Sequence, residues 1–69
     1  MNPDAPPPVI VYPALNGHRR VAVRGERVGT ARGVADLVEF LRRAGLEADD
    51  STLTDPELIE WRGGGPDAW

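Results

Sequence analysis

The chain has 69 residues, contains no cysteine and a single histidine, and carries a formal net charge of −3 at pH 7. This length supports one small domain whose core is close to the minimum that packing alone can stabilise. The composition excludes a disulfide framework, thiolate catalysis and a structural zinc site.

The first eight residues, MNPDAPPP, contain four prolines and no basic or apolar stretch of the kind that begins a signal peptide. They predict a disordered or polyproline-like lead-in over residues 1–8. Because the apolar runs in the sequence are too short to cross a bilayer, we expect a cytoplasmic protein without membrane contact.

Two turn signals then predict a three-stranded antiparallel meander. The β-branched stretch VIVY at 9–12 is followed by Asn16-Gly17, the strongest short hairpin signal, and by RRVAV at 19–23. Gly25-Glu26 predicts a second two-residue turn before RVGTA at 27–31.

Two-residue turns determine a register, since directly opposed residues share a face of the sheet. The predicted core face contains Ile10, Tyr12, Val21, Val23 and Val28. The opposite face is small at its centre, where Ala22 and Gly29 lie, and basic at its corners. The stretch 13–15 leaves open a longer first loop, which would move the first strand.

The stretch VADLVEFLRRAGL, which starts at Val34, predicts an amphipathic helix. Its apolar side chains recur with helical spacing at Val34, Leu37, Val38 and Leu41. Gly45 predicts a left-handed cap before Leu46. Packed on the apolar face of the sheet, this helix would complete a small core.

Two patterns compete in the segment after the helix. Thr54 and Glu57 have the spacing of a capping box, whereas Ile59 and Trp61 alternate with polar residues as in a half-buried strand. We interpret 54–57 as a turn and 58–62 as a short strand, with a helical turn as the alternative. The fold class is therefore α+β, in a single domain over residues 9–62.

The Gly-rich tail, residues 63–69, ends in Trp69 after three consecutive glycines and a proline. Ordering backbone costs about 1–2 kcal/mol per residue, and burying one indole returns only about 2–3 kcal/mol. We expect Trp61 in the core and Trp69 mobile, as an aromatic anchor for a partner. The alternative places Trp69 over Ala22 and Gly29.

Arginines on the hairpins are the candidate binding residues. Arg24 and Arg27 are predicted to flank the second turn as an exposed, directly opposed pair that suits a phosphate or an acidic surface. The alternative is that they splay into water. The partner-binding candidates are Arg19, Arg20, Arg24, Arg27 and Trp69.

The charge distribution favours an interaction module over an enzyme. Residues 1–35 contain five arginines against two acids, whereas residues 36–69 contain three arginines against nine acids. No triad surrounds His18, and the acidic residues lack the spacing of a calcium loop. We expect no enzyme activity, no metal and no cofactor.

Our leading hypothesis is a small interaction or regulatory module that binds a protein partner or itself. The alternative is nucleic-acid binding through the basic hairpins. A weak catalyst using carboxylates such as Glu57 and Glu60 is a third, lesser hypothesis.

The stretches DLVEFLRRAGL and ELIEWRGGGPDAW resemble a family of short uncharacterised actinobacterial proteins, over about the C-terminal half of the chain. This resemblance implies no activity, cofactor or site residue. The predicted order of three antiparallel strands and a helix is also similar to the DNA-binding domains of plant AP2 factors and the arm-binding domains of phage-type integrases. Those domains are strongly basic, whereas this chain has a net negative charge.

Overall fold

The computed structural model describes residues 7–69, so most of the predicted Pro-rich lead-in lies outside the described residues. The elements in chain order are β1 (Val9–Val11), β2 (Arg19–Val23), β3 (Glu26–Ala31), α1 (Val34–Arg43), a 3-10 turn (Thr52–Thr54) and β4 (Ile59–Trp61). The predicted α+β class is confirmed. Within residues 7–69, no helix has the length and apolarity needed to span a membrane.

The sheet is mixed and has the strand order β3-β2-β1-β4. The first three strands form the predicted antiparallel meander, and β4 pairs with β1 in parallel. The first strand therefore lies inside the sheet, between β2 and β4. The sequence predicted a short strand near the C-terminus but did not assign it a neighbour.

The register of β1 differs by one residue from the prediction. The turn signals placed Tyr12 opposite Val21, whereas Val11 takes that position. Because side chains alternate between the faces of a strand, the slip turns Ile10 and Tyr12 away from the core and buries both valines of β1 instead. Pro13, which has no N–H to donate, lies in the segment that absorbs the extra residue.

The second hairpin turns one residue earlier than predicted. Arg24 and Gly25 are its central residues, with φ of +52° and +83°, and Glu26 begins β3. Two positive φ values define a type I′ turn, whose twist matches that of the flanking strands. Arg27 lies opposite Ala22. The predicted Gly25-Glu26 centre and the direct pairing of Arg24 with Arg27 are therefore wrong.

A β-bulge interrupts the pairing of β2 with β3. Gly29 opposes Val21 and Arg27 opposes Ala22, so Val28 is the extra residue. Val28 is 37% exposed and is not part of the core, contrary to the prediction. The bulge also makes the free edge of β3 an irregular template for another strand.

The helix α1 covers one face of the sheet. Leu37 and Leu41 are fully buried, as the helical spacing predicted. The helix ends in a Schellman motif: Gly45 has φ of +85°, its N–H donates to the Arg42 carbonyl, and the Leu46 N–H donates to the Leu41 carbonyl.

We call the face of the sheet that α1 covers the inner face. The core lies between α1, the 3-10 turn and this inner face. Its buried apolar members are Val9, Val11, Val21, Val23, Ala31, Leu37, Leu41, Ala48, Leu53 and Ile59. Trp61 and Val38, which we expected to be core residues, and Leu46 are partly buried and pack against this cluster.

Phe40 packs directly onto Gly29. A Cβ atom on Gly29 would lie 2.6 Å from Cζ of Phe40, and Gly29 has φ of +157°. Glycine at this position lets the aromatic ring of α1 approach the backbone of β3. The prediction that Gly29 lies on the face away from the helix is wrong, because the bulge shifts it to the inner face.

Replacing Gly29 by alanine should therefore destabilise the fold by about 1–3 kcal/mol, because the methyl group overlaps the Phe40 ring. Gly33→Ala is the matched control, since its Cβ would meet no atom within 4 Å and its φ of −178° is extended. Chemical denaturation of both variants measures the difference. Equal midpoints would show that Phe40 does not constrain this position.

The loop before β4 is organised by the Asp49 carboxylate. One oxygen of Asp49 accepts hydrogen bonds from the hydroxyl and backbone N–H of Ser51 and from the backbone N–H and hydroxyl of Thr52. Hydrogen bonding by the Ser51 side chain, with the Thr52 bonds next, lowers the pKa of Asp49. The carboxylate thus holds the entrance to the 3-10 turn.

Because the folded-state pKa of Asp49 is depressed, its contribution to stability is present above the unfolded pKa of about 3.9 and is lost as pH falls through the folded value. Asp49→Ala should therefore lower the melting temperature at neutral pH and lose this effect in strong acid. Asp50→Ala, at the exposed neighbour, is the control. A pH-independent loss in Asp49→Ala would contradict the assignment.

Candidate partner-binding site

Arg19 is fully buried, with a relative exposure of 0%. It lies opposite Ala31, on the same face of β2 as Val21 and Val23, and so extends toward the inner side of the sheet. Its guanidinium ends beneath the C-terminal tail. Arg19 was predicted among the surface contacts of the hairpins, but the alternation of β2 removes it from the surface.

Every N–H of the Arg19 guanidinium has a backbone carbonyl partner. Arginine has five such donors in a planar fork. The Nε donor bonds one carbonyl at 2.8 Å, and the two terminal nitrogens bond four more at 2.7–2.9 Å. The five acceptors are the carbonyls of Tyr12, Arg62, Gly64, Gly65 and Ala68.

Two indole rings enclose the same guanidinium. Its central carbon lies 5.2 Å from the centroid of Trp61 and 5.7 Å from that of Trp69. The two indoles meet edge to face, with centroids 6.4 Å apart. We call the five carbonyls and two rings the Arg19 cage. Burial lowers the pKa of Arg19, but an arginine side chain stays protonated, so the cage holds a cation.

The tail is part of the fold, and the expectation of a mobile Trp69 is wrong. Trp69 packs against the core cluster, and its indole N–H donates to the Pro66 carbonyl. That expectation compared the entropy cost of ordering the tail with the burial of one indole alone. It omitted the hydrogen bonds between the tail and Arg19, which are charge-assisted and therefore stronger than neutral ones. Gly63 and Gly64, with φ of +76° and +113°, allow the carbonyls to converge.

On the other side of the sheet, which no helix covers, a row of side chains crosses three strands. Tyr12 continues the register of β1, because its N–H donates to the Arg20 carbonyl and the Arg62 N–H donates to the Val11 carbonyl. The guanidinium carbons of Arg20 and Arg62 lie 5.6 and 5.3 Å from the Tyr12 ring centroid. We call this side the outer face.

The two flanking arginines differ in their partners. Nε of Arg62 donates to the Glu60 carboxylate, and this hydrogen bond raises the pKa of Arg62. Among residues 7–69, the ion pairs are this one and Arg43 with Glu39 on α1. Arg20 therefore has no carboxylate partner in the part of the chain described.

Arg20 and Arg27 face a common depression of about 280 Å³ on the outer face. Its lining, which we call the arginine hollow, consists of Tyr12, Arg20, Ala22, Gly25 and Arg27. Among residues 7–69, no acidic residue contributes to it. Ala22 is only 8% exposed, so the arginine hollow has a small apolar side chain in its lining and cationic groups at its sides.

A second depression adjoins the first through Arg20. It has a volume of about 450 Å³ and is lined by Pro13, Ala14, Leu15, His18, Arg20 and Thr30. We call it the loop hollow. Leu15, at the first hairpin turn, is 71% exposed. The two hollows place an apolar side chain and two arginines on neighbouring parts of one surface.

The structure thus divides the five predicted binding residues among three places. Arg20 and Arg27 meet in the arginine hollow, and Arg19 and Trp69 are inside the Arg19 cage. Arg24 is exposed at the turn, as predicted, but its Nη1 lies 3.4 Å from the Ala44 carbonyl at the end of α1.

Two residues of the outer face were missed in the sequence. Tyr12 was assigned to the core by the slipped register, and Arg62 was read only as a polar position of the last strand. Their place beside Arg20 depends on the pairing of β1 with both β2 and β4. Alternation in 58–62 was the one signal that pointed to Arg62.

No group of three or more His, Asp or Glu side chains within residues 7–69 is arranged to hold a metal ion. His18 contacts the Leu15 carbonyl through Nδ1, at 3.1 Å, within its own turn. The polar side chains that line the arginine hollow are those of two arginines and a tyrosine.

No protein-family model matches the chain, and no curated protein or solved structure is significantly similar to it.

Replacing Arg19 by lysine should destabilise the fold by about 2 kcal/mol or more, because an ammonium has three donors and no planar fork for five carbonyls. Arg20→Lys, one residue further and exposed, is the matched control. Denaturation midpoints measure stability, and NMR relaxation of the Trp69 indole measures release of the tail. Equal stability of the two variants, with a rigid Trp69 in both, would contradict the role of the Arg19 cage.

Proposed function

We propose that the domain is a non-enzymatic interaction module that binds an acidic segment of a protein partner on its outer face. The observation that supports this most directly is the arginine hollow, whose lining includes Arg20 and Arg27 and no carboxylate from the part of the chain described. Unpaired guanidinium groups beside an apolar floor are suited to carboxylate and phosphoryl oxygens.

The position of this surface also supports a face-on mode of binding. The inner face is occupied by α1 and by the tail around Arg19. A partner strand at the edge of the sheet would meet the bulge at Val28 in β3 or the three-residue strand β4. Both are poor templates for an added strand. The outer face is the better site for a partner.

A protein partner is favoured over nucleic acid by the charge of the whole domain. The net charge is −3, and acidic residues outnumber arginines by eleven to eight. Surfaces that follow a nucleic-acid backbone carry an extended excess of positive charge. The three arginines of the outer face, one of them paired with Glu60, form a local anion site instead.

Binding can be measured by fluorescence anisotropy with a labelled short peptide of Asp, Glu and Leu. We expect Arg27→Gln to weaken binding about tenfold, because it removes charge-assisted hydrogen bonds. Arg32→Gln is the control, since Arg32 is exposed but lies between β3 and α1, outside the hollows.

Three results would contradict this function. One is the absence of binding by the peptide, and another is an equal loss in Arg27→Gln and Arg32→Gln. The third is tighter binding of a single-stranded DNA oligonucleotide with a steep salt dependence, which would favour the nucleic-acid alternative. Sedimentation tests the remaining alternative: self-association that Arg27→Gln abolishes would make a second copy of the chain the partner.

A further inference from the structure

The arginine hollow presents more positive charge than one carboxylate can balance. Arg20 and Arg27 both contribute to its lining, and no acidic side chain of the described residues does. A carboxylate brings one charge and two oxygens, which suit a single guanidinium fork. A phosphoryl group carries a charge of about −1.5 to −2 near neutral pH and three acceptor oxygens. Two arginines in the lining of one hollow therefore match a phosphoryl group better than a carboxylate.

We propose that the arginine hollow binds the phosphoryl group of a phosphorylated side chain in the partner protein. This inference rests on the proposed function, and it names the group that the outer face recognises. The domain then distinguishes the phosphorylated state of its partner from the unmodified one.

Arg20 is held in a defined place for this role. Its guanidinium carbon lies 5.6 Å from the Tyr12 ring, and Tyr12 itself is flanked on its other side in the sheet by Arg62. The ring restricts the side chain of Arg20 before a ligand arrives. Less rotamer entropy is therefore lost when the phosphoryl group binds.

The dimensions of the hollow also fit. Its volume of about 280 Å³ accommodates a phosphorylated side chain, and Ala22 lines it with a small, nearly buried methyl group. The adjoining loop hollow, with exposed Leu15 beside it, offers an apolar contact for a neighbouring residue of the partner. The preferred segment therefore carries a phosphorylated residue next to an apolar one.

The test compares two acidic peptides that are identical except at one position, which holds either phosphoserine or glutamate beside a leucine. We expect the phosphoserine peptide to bind about tenfold more tightly. Arg27→Gln and Arg20→Gln should remove this preference, whereas Arg32→Gln should retain it. Melting temperatures of the variants verify that the fold is intact.

A second measurement does not depend on the peptide sequence. Phenyl phosphate should shift the Nε–Hε NMR signals of Arg20 and Arg27 and leave that of Arg32 in place, and benzoate should shift them less at the same concentration. Inorganic phosphate and phenyl phosphate are then compared as competitors of the phosphoserine peptide. If inorganic phosphate displaces the peptide as well as phenyl phosphate does, the hollow recognises the free anion, and the inference about a phosphorylated side chain is overturned.

The outcomes separate the inference from the proposed function. Equal binding of both peptides overturns phosphoryl recognition and leaves the acidic-partner function in place. If neither peptide binds, the proposed function is overturned. If phenyl phosphate shifts neither arginine Nε–Hε signal, the phosphoryl site is overturned. A clear preference for single-stranded DNA over the phosphoserine peptide overturns the choice of a protein partner.

Discussion

The buried guanidinium of Arg19, hydrogen-bonded to backbone carbonyls, joins the sheet to the C-terminal tail. Leaving the Arg19 guanidinium partly unbonded in the interior would be expensive, because each orphaned donor loses its hydration and gains nothing. Its five donors are instead matched by five carbonyls, four of them from residues 62–68. The tail therefore has one path around the side chain. In a domain of this size, that path adds packing which a core of ten apolar side chains lacks.

The Arg19 cage and the candidate site share a backbone. The carbonyls of Tyr12 and Arg62 accept hydrogen bonds from Arg19 beneath the sheet, and the side chains of the same two residues lie together on the outer face. Arg20 is the next residue of β2. The buried side chain of Arg19, which lies outside the arginine hollow, thus determines the spacing between Tyr12 and Arg62 on the outer face. Rigid support of this kind reduces the entropy that binding must overcome.

The charges of the domain act at two ranges. The net charge of −3 adds a weak repulsion for any anionic ligand at long range, because salt screens the distant field. At contact distance, Arg20 and Arg27 dominate, because they lie beside the small apolar side chain of Ala22 and no acid from residues 7–69 lines their common hollow. The proposed phosphoryl ligand, a compact and strongly charged group, suits this combination.

The local elements could be predicted from the sequence, since their signals depend on neighbours in the chain. The helical spacing from Val34, the cap at Gly45 and the strand Arg19–Val23 were all predicted correctly. Arg20 and Arg27 lie on the sheet face predicted for them, and their role in binding stays a prediction. Only the tertiary contacts show the register of β1, the pairing of β4 with β1, and the burial of Arg19 beneath the tail that ends in Trp69. These features depend on contacts between residues far apart in sequence. A one-residue slip exchanges the buried and exposed side chains of a strand. Burial of an arginine becomes favourable only when a distant segment supplies carbonyls to its donors.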